Sequence, residues 1–302
     1  MPADSQSVPF FVHIPKAAGS TIRALISLNY DSNRVLSVYG NFPQIVATLA
    51  DNIGNKDRFD LIQGHMPYGS HYQLNIRNPR YFVFLRDPVE RMFSDIAYSI
   101  RSPHHGFHHM LAGEGRTQAE ILDIAKGIHY YRNNMTNYIS GLYFTRQADL
   151  SDLHRAIDNL WKSELVGLSS TFEESLLVMA KLLGWKKVIA ERLNTSPGKI
   201  EITDELRASA NQVLTLDHAL YAVARDISEQ KIGKYGSFLK EAAEQLREIY
   251  RAQKKLAPER EYEGHMVGEE LPLHEQLEAM VSASSPLGRW INEITPATPI
   301  RR

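Results

Sequence analysis

Two stretches constrain the fold of this 302-residue chain more than any other feature: PFFVHIPKAAGST at 9–21 and YFVFLRDPVERMFS at 81–94. Each is a short apolar run of strand type that breaks into a turn and then opens a helix. Two strand-turn-helix units imply right-handed βαβ crossovers, a mostly parallel sheet and ligand binding at its C-terminal edge.

In the first stretch Lys16 precedes Ala17, Ala18 and Gly19, and Ser20 and Thr21 are placed to cap the helix that Ile22, Leu25, Ile26 and Leu28 continue. Small side chains let an anion reach backbone N–H groups, the helix start adds a positive field, and Lys16 adds a full charge. The order differs from the nucleotide triphosphatase loop, which ends in GK[ST]. In the second stretch Arg86 ends its strand, Asp87 can cap the helix, Pro88 suits its first turn, and Ser94 lies about two turns further on. A guanidinium and a hydroxyl can hold a second anion. Two phosphate sites on one sheet suggest a bisphosphorylated nucleotide.

These stretches resemble the 5′-phosphosulfate and 3′-phosphate motifs of sulfotransferases that use 3′-phosphoadenosine 5′-phosphosulfate (PAPS), and are most similar to the carbohydrate branch of the heparan 2-O type. Further similar segments follow in that branch's order: GHMPYG at 64–69, NMTNYISG at 134–141, VGL at 166–168 with FEESL at 172–176, and LDHALY at 216–221. Asn137 stands where that branch usually carries an arginine.

The resemblance implies transfer of a sulfuryl group from PAPS, leaving PAP, to the hydroxyl of a glycan or, after that, of a small molecule. It implies His65 as catalytic base and Lys16 against the 5′-phosphate and bridging oxygen. Ala17, Ala18, Gly19, Ser20 and Thr21 would donate to the same phosphate, and Arg86 and Ser94 would hold the 3′-phosphate. Arg192 and Asn194, in ERLNT at 191–195, resemble a later segment near the nucleotide, with a structural turn equally open. His65 follows a strand in a Gly-His turn, and an ordinary histidine pKa of roughly 6.5 suits proton abstraction near neutrality.

Composition narrows the alternatives. With 43% hydrophobic residues the chain can bury a large core. The 34 basic and 35 acidic residues nearly cancel, so no global basic field recommends a nucleic-acid partner. The absence of cysteine excludes disulfides, thiolate metal sites and a cysteine nucleophile. Neither a secretory leader in residues 1–7 nor a transmembrane run is visible, and the expected setting is cytoplasmic. The oligomeric state stays open, with self-association possible.

The expected fold class is α/β: a P-loop-like, mostly parallel sheet flanked by helices, with a sulfotransferase domain over 1–235 and a helical C-terminal extension and tail over 236–302. Strands are expected at 59–63, 81–85 and 164–168, and helices at 42–53, 117–128, 149–161, 171–183, 203–214, 217–232 and 237–255. Residues 102–115 read as a loop. Its histidines, His104, His105, His108 and His109, have spacing compatible with a metal, but Pro103, Gly106 and the lack of an interleaved carboxylate argue against one, and contact with the acceptor is the other reading. Asp87, Glu90 and Arg91 read as local ion pairs. Tyr68, Tyr98, Tyr130 and Tyr131 can line an acceptor site or pack in the core.

Two other functions remain open from the residues. A nucleotide kinase or triphosphatase on a similar fold would need a Mg²⁺-supporting lysine–hydroxyl motif. A non-catalytic nucleotide-binding scaffold would use the apolar stripe Phe238, Leu239, Ala242, Leu246 and Tyr250 to engage a partner or its own core.

Overall fold

A computed structural model describes residues 7–55, 58–190, 200–256 and 280–295. In chain order the strands are β1 (Val8–Val12), β2 (Val35–Val38), β3 (Leu61–Gly64), β4 (Pro79–Leu85) and β5 (Leu165–Leu168). The helices are α1 (Gly19–Asn29), α2 (Phe42–Asp51), α3 (Pro88–Arg101), α4 (His108–Leu111), α5 (Gln118–Gly127), α6 (Asn134–Ser140), α7 (Leu150–Lys162), α8 (Phe172–Leu183), α9 (Asp204–Asn211), α10 (Thr215–Gly233), α11 (Gly236–Leu256) and α12 (Pro286–Glu293).

The five strands form one sheet in the order β2-β3-β1-β4-β5, and every neighbouring pair is parallel. Side chains alternate between its faces. Phe11, Leu61, Phe82, Phe84 and Leu165 meet α1, α8, α11 and α12 in one buried cluster. Phe10, Val12, Ile62, Val83, Leu85 and Val166 meet α2, α6, α7 and α10 in another. Burial on both faces is why the strands read as continuous apolar runs rather than alternating ones. A third cluster joins α3, α4, α5 and α9 through Met92, Phe93, Leu111, Leu122 and Leu206.

The expected α/β class therefore stands, with four local corrections. Four-residue β2 lies at the sheet edge and was not foreseen, because so short a run carries too little pattern. Residues 102–115 contain one helical turn, α4, held by packing of Leu111. The helix after Lys16 begins at Gly19, with left-handed Ala18 as its N-cap and no capping side chain, so Ser20 and Thr21 sit inside its first turn. Neither α6 nor α12 was foreseen as a helix; α12 starts on a Ser285 cap with proline in its first turn.

The apolar stripe of α11 faces the chain's own core. Leu239, Ala242, Leu246 and Tyr250 are buried, and Phe238 packs partly buried against Trp290. Trp290 of α12 is itself buried and donates Nε1–H to the Leu177 carbonyl at 3.2 Å. That packing removes the stripe as a partner surface.

The strand order places the site. From β1 the chain builds β2 and β3 on one side and then β4 and β5 on the other, so the C-terminal ends of β1 and β4 diverge at the crevice where such sheets bind ligands.

Candidate active site

The loop leaving β1 is held in an unusual backbone conformation. Lys16 and Ala18 both have left-handed φ, 67° and 65°, at a cost of ~1–3 kcal/mol each. Left-handed Ala18 followed by helical Gly19 turns successive N–H groups into a concave anion nest at the start of α1. Ala17, Gly19 and Thr21 are buried, and Ala18 and Ser20 half-buried.

The half-buried Lys16 ammonium lies 4.3 Å from the centroid of the Tyr98 ring on α3. Among the described residues no carboxylate stands within ion-pair distance of it. Burial lowers its pKa from the ordinary lysine value; Asp95 opposes the shift, while Arg101 and Arg86 add to it. A cation desolvated beside other cations calls for an anionic ligand.

Arg86, at the end of β4, joins this loop. Its Nη1 donates to the Lys16 carbonyl at 3.5 Å, while Nε and Nη2 reach Glu90 at 3.4 and 3.3 Å. The two anion-binding segments thus meet at the crevice between β1 and β4. Ser94 is half-buried on α3, in the same segment as Arg86. Asp87 caps α3 by accepting from Glu90 N–H at 3.0 Å. The expected local pairing of Asp87, Glu90 and Arg91 is corrected in its partners: Glu90 holds Arg86, and Arg91 pairs with Asp95 at 3.2 Å, both wholly buried. Asn194 and Arg192 lie outside the described residues.

His65 follows β3 directly. Gly64 has φ 153°, and a Cβ there would fall 1.9 Å from the Val38 carbonyl oxygen, so only glycine lets the chain turn this closely against β2. Backbone bonds then fix the strand ends: His65 N–H donates to Val38 O and His13 N–H to Gly64 O, both at 2.9 Å. The His65 ring stands 4.6 Å from that of His13 and 4.8 Å from that of Tyr39. The Arg23 guanidinium lies 4.5 Å from the Tyr39 ring.

Burial, with the charge of Arg23 second, lowers the His65 pKa to about 4. His13 is pushed well below the ordinary histidine value by burial and then by His65, Arg23 and Lys16. Both rings are neutral at neutral pH, the state a general base requires. His13, Tyr39 and Arg23 were given no role in the sequence reading. His13 could have been found by its place, since like His65 it follows a strand immediately. Tyr39 could not, because the strand that delivers it was missed.

The remaining candidates separate. Tyr98 faces Lys16, whereas Tyr131 is fully buried against Ser99 and Tyr68 stacks on Tyr81 at 3.8 Å. His105 and His108 bind Ser99, through its hydroxyl at 3.4 Å and its carbonyl at 3.1 Å. Among the described residues no group of three or more His, Asp or Glu is arranged to hold a metal ion. Asn137 is buried and donates to the Asn133 and Arg132 carbonyls at 2.9 and 3.2 Å. Its place is thus a structural one within α6.

The model describing the Sulfotransferase family matches residues 4–250. No curated protein matches the chain.

Proposed function

The chain belongs to the sulfotransferase family, and from that premise we propose that it moves a sulfuryl group from PAPS to an acceptor hydroxyl, with His65 as base. That it is a sulfotransferase displaces the kinase and non-catalytic readings. The observation that most supports PAPS as donor is the Arg86–Lys16 contact, which makes one crevice of two separate cationic grips.

The residues present suit such a donor: a backbone nest, a lysine with no carboxylate partner among the described residues, and a strand-end arginine with a hydroxyl on the following helix. Ala18, Gly19, Ser20 and Thr21 bind the 5′-phosphate through N–H and hydroxyl groups, while Ala17, whose N–H donates to the Ile14 carbonyl at 3.3 Å, serves as a small residue that shapes the loop. Arg86 and Ser94 bind the 3′-phosphate, and Asn194 belongs to the nucleotide site in this reading. When bound, PAPS supplies a sulfuryl group on a phosphate leaving group. Lys16 stabilises the negative charge that grows on the 5′-phosphate as the bond to sulfur breaks. His65 takes the acceptor's hydroxyl proton on an imidazole nitrogen.

We assign a glycan as first acceptor class and small-molecule alcohols as second, without a nucleic-acid partner, in a cytoplasmic enzyme that can self-associate. No helix among the described residues is long and apolar enough to cross a membrane. Residues 1–235 form the sulfotransferase domain proper in this reading, and 236–302 an extension whose first helix completes the core.

The test is incubation with labelled PAPS and a panel of glycans and small alcohols, alongside calorimetry with PAP. Labelled product from wild type, with His65→Ala losing turnover but keeping PAP affinity, is the expected result. Near-normal turnover in His65→Ala would remove the base.

A further inference from the structure

His13 is an unusual occupant for the end of a central strand. It is 8% exposed, yet it is polar, and its ring touches a different element on each side. Below it the Phe11 ring stacks at 5.8 Å and only 12° from parallel. On one flank Nδ1 lies 3.1 Å from the Tyr39 hydroxyl. On another the His65 ring stands 4.6 Å away. The Nε2 edge lies against the donor loop, where a Cβ on Gly19 would fall 1.8 Å from Nε2 and 2.0 Å from Cδ2. No side chain larger than hydrogen fits between that ring and the first residue of α1.

These contacts tie three strand ends to one loop. Tyr39 follows β2, His13 follows β1, His65 follows β3, and Gly19 begins the helix that the donor loop opens. The ring touches both the loop and the imidazole of His65. Its rotation is restrained by the Tyr39 bond on one side and by the glycine backbone on the other. Burial raises the pKa of Tyr39, so its hydroxyl stays protonated and can pair with Nδ1 in either tautomer of the ring. A ring that must not shift needs such an anchor, because reacting groups have to be held to within roughly 0.5 Å of productive geometry.

We infer that His13 is a positioning residue: anchored by the Tyr39 hydroxyl, its ring is a spacer wedged between Gly19 and His65 that fixes the separation of the donor loop from the base. The inference rests on the sulfuryl-transfer reading above. It assigns His13 no contact with the reacting atoms and no proton transfer.

The test uses the full-length chain with Tyr39→Phe, His13→Gln, His13→Ala and the Tyr39→Phe/His13→Ala double variant. Each is measured for kcat and KM with PAPS, PAP affinity by calorimetry, and thermal unfolding. A spacer that sets distance acts on chemistry more than on donor binding. Tyr39→Phe and His13→Ala are therefore expected to lower kcat about 10- to 100-fold, the effect of a misplacement near 1 Å, with PAP affinity changed less than about threefold. His13→Gln, whose amide can still accept from Tyr39, recovers part of the loss. The double variant is no slower than His13→Ala, because anchor and spacer act as one unit.

A merely structural His13 would instead lower the unfolding temperature while leaving kcat intact in the folded fraction. That outcome, or additive losses in the double variant, overturns the spacer. Tyr39→Phe removes one hydroxyl and leaves the ring in place, so it keeps the test readable if His13→Ala fails to fold. Wild type that ignores PAP sinks the donor reading and the spacer with it, whereas wild type that binds PAP beside variants of normal kcat sinks the spacer alone.

Discussion

The Nη1 of Arg86 donates to the carbonyl oxygen of Lys16 at 3.5 Å, so the side chain that ends β4 is tied to the loop that leaves β1. Backbone pairing of β1 with β4 sets this distance, and the reversal of strand order between them opens the crevice that both residues face. In the proposed reading, charge on either side of that contact meets a different end of the donor.

Arg86→Ala is expected to weaken PAP binding by about 10- to 100-fold, the worth of a charge-assisted hydrogen bond near 1.5–3 kcal/mol. Binding of adenosine 5′-phosphosulfate, which lacks the 3′-phosphate, should barely change. Calorimetry with both nucleotides checks this; equal weakening of the two would move Arg86 away from the 3′ end.

Lys16→Ala is expected to reduce kcat by about 10²–10³-fold, the usual cost of one preorganised group that meets developing charge. Lys16→Arg should restore little, since a planar fork replaces a compact ammonium above Tyr98. Single-turnover rates at saturating donor separate this loss from donor affinity.

The acidic limb of kcat/KM reports the free enzyme, and His65 at about 4 puts that limb well below the ordinary histidine range. A bound anionic donor favours the imidazolium, so the limb of kcat should lie at higher pH. Identical limbs near 6.5 in both profiles would count against a buried base beside Arg23.

Stability should fall with acid in the same region. His65 and His13 have folded pKa values below the unfolded value of 6.5, so between about 4 and 6.5 the unfolded chain binds more protons. The share of His65 is complete above 6.5 and is lost as pH falls toward about 4, with a slope of up to about 1.4 kcal/mol per pH unit, and His13 acts in the same direction. Urea unfolding from pH 4.5 to 7.5 measures that slope, and its reduction in His65→Ala assigns the share of His65.

Much of the fold could be read in advance because its signals are local. The runs around Phe11 and Phe84 are apolar on both faces, Asp87 and Pro88 mark a helix start, and Gly184 ends α8 in a left-handed cap. What escaped depends on tertiary contact. Four-residue β2 gains its place by pairing with β3, and with it comes Tyr39. The left-handed Lys16 and Ala18 carry no glycine to announce them; the folded loop imposes that geometry. Arg91 reads as one member of a local ion pair, yet it is wholly buried with Asp95, since α3 also packs against α10, which lies far along the chain. His65 was legible as one histidine in a turn, but its partnership with His13 was not, because 52 positions separate two rings that only the β1–β3 pairing brings together.

The central claim is that one nucleotide carrying phosphates at both ends spans the β1 and β4 loops. Its most direct measurement is a calorimetric titration of wild type with PAP and with adenosine 5′-phosphate. One-to-one binding of PAP, at least about tenfold tighter than the nucleotide without the 3′-phosphate, is the expected result; equal affinities for the two, or no heat with either, would contradict it.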